Sequence, residues 1–305
     1  MAILNHSIVG SGLSALITDL RNSDNTIFTD KEAKVIKSKR FYEYQNLGGN
    51  SNLWGGYINF KRYKNLLNNE EFKNFMLNNS IFEVKKFIHN KHLSNTYYLS
   101  EKNTNKVFRV KEKDFKSKIY FDKIKSISIK KDFISLKSNR KSYKTNSVSL
   151  CVGNLGLIEL LYNSKLINKQ DKISFYDGSV GYNFNLFINH RKNYFIPMPL
   201  NEIYKKIKNG KMEEYSKIEK VLILQKFSDN VKTYSYSVEE IIKFKTKYIR
   251  YFLSNHIAGL KINNTPIKQY IELVTDKIIV KCSGINKEYF AGPISQDIIF
   301  NALIK

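Results

Sequence analysis

Cysteine is almost absent from this chain. Only Cys151 and Cys282 occur in 305 residues, and neither sits in a CxxC or a metal-ligand spacing. That excludes a disulfide framework and predicts a reducing compartment. Long apolar runs are absent too. Nothing approaches the roughly 18 apolar residues that span a bilayer. The first residues, MAILNHSIVGSG, enter a strand at once. They lack the charged region and long apolar core of a signal peptide, so a cytoplasmic protein is expected. Acidic residues are scarce: 27 Asp and Glu stand against 51 Lys and Arg, a formal charge of +24. A polyanionic partner is one reading of that excess. The base composition of an AT-rich genome is the other, because Lys, Asn, Ile, Tyr and Phe are abundant together. The lysines look scattered, and no nucleic-acid motif accompanies them. Composition is therefore the preferred reading. No specific nucleic-acid partner is expected, only weak association with anionic surfaces. An anionic substrate such as a sugar nucleotide is a third reading.

What is present suits a folded protein. Hydrophobic residues make up 42% and aromatic residues 13% of the chain, enough for a real core. The length suits two domains. Ala2 to Val9 ends in a short apolar run, the mark of a buried first strand. Gly10-Ser11-Gly12-Leu13-Ser14-Ala15 follows, a G-x-G-x-x-A pattern. Gly10 permits a tight turn out of the strand. Gly12 lets backbone approach a pyrophosphate. Ala15 lets the next helix pack close to the sheet. That helix is expected from about Gly12 to Leu20, its N-terminal amides facing phosphate oxygens. Thr26 to Thr29 reads as the second strand. Asp30 stands at its end, 18 residues after Gly12. A carboxylate there, at a spacing of about 20, binds ribose hydroxyls. A glycine turn in an ordinary α/β protein is the competing explanation, but the order of strand, turn, helix, strand and acid favours a dinucleotide.

A second glycine segment runs from Leu47 to Gly56, LGGNSNLWGG. Four glycines and the single Trp fall within it. Glycine backbone with small polar side chains suits close approach to a flat polar ligand. A flexible surface loop is the alternative, but a Trp favours a packed, functional one. Gly48, Gly49, Asn50, Ser51, Asn52, Trp54 and Gly55 are accordingly candidate cofactor contacts. The pattern G-G-x-S-x-x-W-x-G after an N-terminal GxGxxA resembles the glucose–methanol–choline (GMC) oxidoreductases and related flavoproteins. The resemblance continues at Val148 to Gly156 with Ile158 to Leu161, at Val180 to Phe184 with His190, and at His256-Ile257-Ala258-Gly259. It ends at Gly284 to Asn286 and Tyr289 to Pro293. It does not extend over residues 61–114 or 191–250.

The resemblance implies FAD as cofactor, with Gly153, Asn154 and Gly292 also near it. It implies oxidation of an alcohol group, with His256 as the base for the substrate hydroxyl. Imidazole suits that task because its pKa lies near neutrality. A sugar or glycan precursor is the expected substrate, and the electron acceptor is not specified by any motif. Two departures stand out. The family's terminal Asn-Pro pair is missing from Gly292-Pro293-Ile294-Ser295, and Ile257 and Leu260 replace the Pro and Thr that follow its active-site His. They bear on turnover more than on FAD binding. A catalytically degenerate FAD-binding accessory protein of polysaccharide biosynthesis is therefore the alternative. Of the other histidines, His6 falls in the first strand and reads as structural. His89 and His92 lie in a Lys-rich stretch read as helical, without a third ligand, so no metal site is expected.

Apolar runs of period close to two between about Ile119 and Leu150 indicate a β-meander. The expected fold is α/β: a Rossmann-like FAD-binding domain of ββα-sandwich type plus a smaller α+β substrate domain with a β-sheet. The FAD domain is expected to be discontinuous, at 1–60, 115–185 and 256–305. The cap would comprise 61–114, read as mostly helical, and 186–255, with strands in NYFIPMPL, KVLILQKF and KTYSYSV.

Overall fold

The computed structural model describes residues 2–22, 24–30, 34–35, 44–45, 47–53, 57–59, 70–86, 96–104, 106–177, 183–184, 194–195, 232–243, 257–281 and 294–303. The chain opens with β1 (Ile3–Val9), α1 (Leu13–Arg21) and β2 (Asn25–Thr29). A small unit follows, with β3 (Tyr57–Asn59), α2 (Glu70–Asn78), β4 (Phe82–Lys86) and β5 (Thr96–Glu101). Next come β6 (Lys118–Phe121), β7 (Ile124–Ile129), β8 (Ile134–Ser138), β9 (Ser142–Leu150) and α3 (Gly153–Asn163). The remainder holds β10 (Lys172–Asp177), β11 (Lys232–Ser237), α4 (Val238–Lys243) and β12 (Ile257–Ile262). It closes with α5 (Ile267–Glu272), β13 (Ile278–Val280) and α6 (Ile294–Leu303).

The central sheet has parallel strands in the order β6-β2-β1-β9-β13. Val9 pairs with Phe28 on one side and Leu150 on the other. Tyr120 and Val280 continue that row. All five strands therefore end at one edge. The sheet is buried on both faces, which is why β1 and β2 end in unbroken buried runs rather than alternating ones. Alternate residues still choose opposite sides. Ile8 and Ile27 join the cluster built by α1 and α6. Val9 and Phe28 join the cluster built by α3 and the meander β7-β8-β9.

The meander is antiparallel, as the period-two pattern predicts. Ile127, Ile134, Leu136 and Tyr143 point inward from it. The Tyr143 ring lies 4.5 Å from the Phe28 ring, centroid to centroid, so the meander folds over the face of the parallel sheet. Burying an aromatic side chain such as Phe28 contributes roughly 1.5–3 kcal/mol. The result is the expected three-layer α/β arrangement of meander, parallel sheet and helices.

Within 61–114 the described residues differ from the helical expectation. They hold one α-helix, α2, and the strands β4 and β5, which with β3 form an antiparallel sheet ordered β3-β5-β4. The sequences FEVKK and TYYLSE are rich in aromatic and β-branched residues, which favour a half-buried sheet. α2 is amphipathic and buries Phe72 and Met76, four residues apart. These join Phe82, Leu99 and Val110 in one cluster with Leu13, Leu16 and Ile17 of α1. This unit thus packs on the helical side of the parallel sheet.

A second sheet is antiparallel and ordered β11-β10-β12, with Thr265–Pro266 at its edge. Ile173 pairs with both Tyr236 and Ile262. This sheet joins strands from both sides of the domain boundaries expected at 185 and 256. Its Ile173, Leu260 and Ile262 pack in the same cluster as Leu157 and Leu161 of α3. The segment KVLILQKF and the residues His89, His92 and His190 lie outside the described residues. Among the described residues, no helix is long and apolar enough to cross a membrane. No group of three or more His, Cys, Asp or Glu side chains among them is placed to hold a metal ion.

Candidate dinucleotide site

The turn after β1 is shaped by backbone. Gly10 has φ +111° and donates its N–H to Phe28 O at 2.9 Å. A Cβ at this position would fall 2.3 Å from the carbonyl oxygen of Cys151. The exit of β9 passes so close that only glycine fits. Gly12 is different. Its φ of −79° suits any residue, and an added Cβ would meet only Ser51 Oγ at 3.5 Å and Gly48 O at 3.6 Å. The surrounding protein therefore does not require glycine there. An external group approaching the backbone would.

Gly12 is the N-cap of α1 and has no side chain to cap it; Leu16 N–H makes the first helical bond, to Gly12 O at 3.0 Å. The second glycine segment supplies the missing partner. Leu13 N–H donates to Ser51 Oγ at 3.0 Å. The Ser51 hydroxyl in turn donates to Gly48 O. Gly48 N–H donates to Ser11 O at 2.9 Å. The two glycine turns are thereby joined at the positive end of α1.

Asp30 is held beside them. Ser11 Oγ and Thr29 Oγ1 are hydrogen-bonded at 2.6 Å, tying the first turn to the end of β2. Asp30 Oδ2 lies 3.4 Å from Lys123 Nζ, which enters from the turn after β6. Nothing in the sequence signals Lys123, because the partnership spans two separate strands. Gly153 completes the edge. It has φ +72° and opens onto free space, with nothing within 4 Å of an added Cβ. It begins α3, whose N-cap, Val152, makes no side-chain cap bond. Asn154, one residue on, is buried in the first turn.

Three of the expected contacts have inward roles. Ala15 is fully buried and sets the close approach of α1 to the sheet. The Ser14 hydroxyl donates to the carbonyl of Lys281. Asn52 clasps Val110: its Nδ2 donates to Val110 O at 3.0 Å, and Val110 N–H donates to its Oδ1 at 2.8 Å. Gly48 and Gly49 both have positive φ, and at Gly48 a Cβ would overlap the Asn52 amide. Asn50 lies in the 3-10 turn Gly49–Leu53. His256, Trp54, Gly55 and Gly292 lie outside the described residues.

Beneath the first turn sit two ionisable groups to which no sequence motif assigns a role. Cys151 is buried, and burial pushes its thiol up to about 11. Lys281 is also buried, and burial brings its ammonium down to about 8. His6 lies nearby, its Nδ1 2.7 Å from Ser147 Oγ and its Nε2 3.0 Å from Ser149 Oγ. Burial first, then the Lys281 charge, lowers its pKa. His6 is structural, as its place in β1 predicts.

Two helix starts whose N-cap residues, Gly12 and Val152, supply no capping side chain, glycine backbone and a carboxylate meet at the carboxyl edge of a parallel sheet. Such an arrangement suits a diphosphate and a ribose. The fold and the turn thus define a class: a Rossmann-like three-layer domain with a dinucleotide turn. No protein-family model matches the chain. No curated protein matches it either. Solved structures do resemble it. A pyridoxine 4-oxidase from Mesorbium loti aligns over 98% of this chain and 97% of its own, at 8% identity and a TM-score of 0.48. A ferredoxin-flavin thioredoxin reductase from Clostridium acetobutylicum aligns over 49% of this chain at 16% identity and a TM-score of 0.24. An L-amino acid deaminase from Proteus vulgaris aligns over 60% of this chain and 54% of its own, at 11% identity and a TM-score of 0.29. This chain covers only 37% of the reductase's length.

Proposed function

We propose that the chain is an FAD-dependent oxidoreductase of GMC-like type that oxidises an alcohol group, on a sugar or glycan precursor. The observation that carries the reading is the joining of the two glycine turns through Gly48–Ser11 and Ser51–Leu13. A nicotinamide site needs only the first turn. A second glycine track leading away from the pyrophosphate suits an isoalloxazine. The cofactor is FAD. The pyrophosphate rests on the amides at the start of α1 and over Gly12, and the adenosine ribose on Asp30. The open space at Gly153 leaves room for the same ligand. FAD, when bound, supplies the hydride acceptor. The protein fixes the substrate carbon and removes the hydroxyl proton. By resemblance His256 takes that proton on its imidazole nitrogen.

The purified protein is expected to be yellow, or to become so with added FAD, and to bleach anaerobically with an alcohol substrate. A protein that never takes up FAD would sink the reading. A His256→Ala variant with normal bleaching would remove His256 from its role. Bound FAD that no alcohol reduces would favour the accessory-protein alternative.

A further inference from the structure

A cleft of about 500 Å³ opens between the end of β6 and the β8–β9 turn, beside the Lys123–Asp30 pair. That is the size of a small-molecule site. Tyr120, Phe121 and Asp122 reach it from the end of β6; Arg140, Lys141 and Tyr143 come from the turn and strand after β8. Its walls are aromatic and its rim is cationic. The single acid, Asp122, is shielded. Its Oδ2 accepts the Tyr143 hydroxyl at 2.7 Å and the Ser138 hydroxyl at 2.8 Å. Lys141 Nζ lies 5.0 Å from the Tyr143 ring centroid and Lys118 Nζ 4.9 Å from that of Tyr120.

The surroundings reinforce the sign. Nine of the 27 residues from Lys118 to Lys144 are Lys or Arg, against 51 of 305 in the whole chain. This is about twice the average density, with only Asp122 and Asp132 opposing it. Of these cations, Arg140 and Lys141 line the cleft itself, and their charge favours an anion there.

We propose that this cleft is a second binding site, for a small planar anion: an aromatic ring carrying a phosphate or a carboxylate. The ring lies against the tyrosine and phenylalanine walls, and the anionic group meets Arg140 and Lys141. Arg140 suits an oxyanion because its planar fork donates two parallel hydrogen bonds. A bare inorganic anion leaves the walls uncovered. A neutral ring leaves the cations unused. No glycine lines this cleft. The proposal therefore does not rest on the flavin reading. The adenylate end of a dinucleotide has the same chemistry, so the experiment must separate the two sources.

The test is calorimetric titration of the full chain with 1-naphthyl phosphate, with and without saturating FAD. Saturable binding that FAD leaves unchanged is expected, at least ten-fold tighter than that of 1-naphthol or inorganic phosphate. The double variant Arg140→Glu, Lys141→Glu should lose at least ten-fold in affinity. Both side chains are exposed at a turn, so the fold should persist, as circular dichroism would verify. Tyr143→Phe removes no cation but unshields Asp122, and should weaken binding several-fold. If that buried variant does not fold, the double variant still decides. Failure to saturate, equal affinity for 1-naphthol, an unaffected double variant or competitive displacement by FAD would each overturn the proposal.

Discussion

Gly10 and Gly12 sit two residues apart and look interchangeable in the motif, yet alanine should act on them in opposite ways. At Gly10 the new Cβ meets backbone at 2.3 Å and 2.6 Å, the carbonyl of Cys151, which cannot swing aside as a flexible side chain would. Its φ of +111° is also foreign to an L side chain. The strained backbone costs about 1–3 kcal/mol and the overlap about as much again. Against a total stability of about 5–15 kcal/mol, Gly10→Ala should unfold the apoprotein at clearly lower urea. Gly12→Ala has an allowed φ and ordinary contacts at 3.5 Å and 3.6 Å. The apoprotein should lose less than about 0.5 kcal/mol. A methyl group wedged against a pyrophosphate, however, costs about 1–3 kcal/mol of binding, roughly five- to 150-fold in FAD affinity. Urea unfolding of both apoproteins and FAD titration by flavin fluorescence separate the two effects. The reasoning is refuted if Gly12→Ala binds FAD as tightly as the parent, or if Gly10→Ala is as stable as Gly12→Ala.

Asp30→Ala should weaken FAD by about ten- to 150-fold, the worth of charge-assisted bonds to ribose hydroxyls. It should shift apoprotein stability by less than about 1 kcal/mol, because the pair with Lys123 is partly solvated; a large loss of stability with intact FAD affinity would contradict the assignment. Lys281 makes stability depend on pH. Its folded pKa of about 8 lies below the ordinary 10.5, so the unfolded chain binds its proton more tightly and stability rises with pH between those values. The gain is up to about 3 kcal/mol. Cys151, with its thiol raised from 9.0 to about 11, acts oppositely between those values. Lys281→Met keeps Cys151, so the difference between parent and variant in urea midpoints at pH 8 and pH 10 reports Lys281. A variant with the parent's pH dependence would refute the burial argument.

The parts of the fold legible in the sequence are those fixed by neighbours along the chain. β1, the glycine turn, α1 and β2 announce themselves through short-range patterning, and the structure places them within a residue or two of expectation. The meander is legible for the same reason, since its inward residues alternate along each strand. Among the described residues of 61–114, β4 and β5 escaped the reading because they draw their stability from each other and from α1 across the chain. The second sheet was illegible in its pairing. Nothing local in KISFYD says that it will lie between KTYSYS and IAGLKI. Long-range pairing is paid for in loop entropy and rewarded only in the assembled core.

The second glycine segment shows how far a motif specifies its own geometry. The pattern G-G-x-S marked it as a ligand loop and treated its polar residues alike. The structure divides them. Asn52 faces inward and copies a strand rung against Val110, which anchors the segment to the small unit packed on α1. Ser51 faces the first turn and accepts from Leu13. Gly48 needs its positive φ and its missing Cβ to let Asn52 pass beneath it. Asn52 thus holds the loop, and Ser51 is held at the helix start because of it. A ligand at that helix start would find Ser51 with its position already set by the Asn52–Val110 clasp. Placement of this kind lowers the ordering cost of binding. It also explains why a Gly-rich segment, the most flexible backbone available, can serve as a firm cradle: its freedom is spent on the turn, and one buried amide fixes the rest.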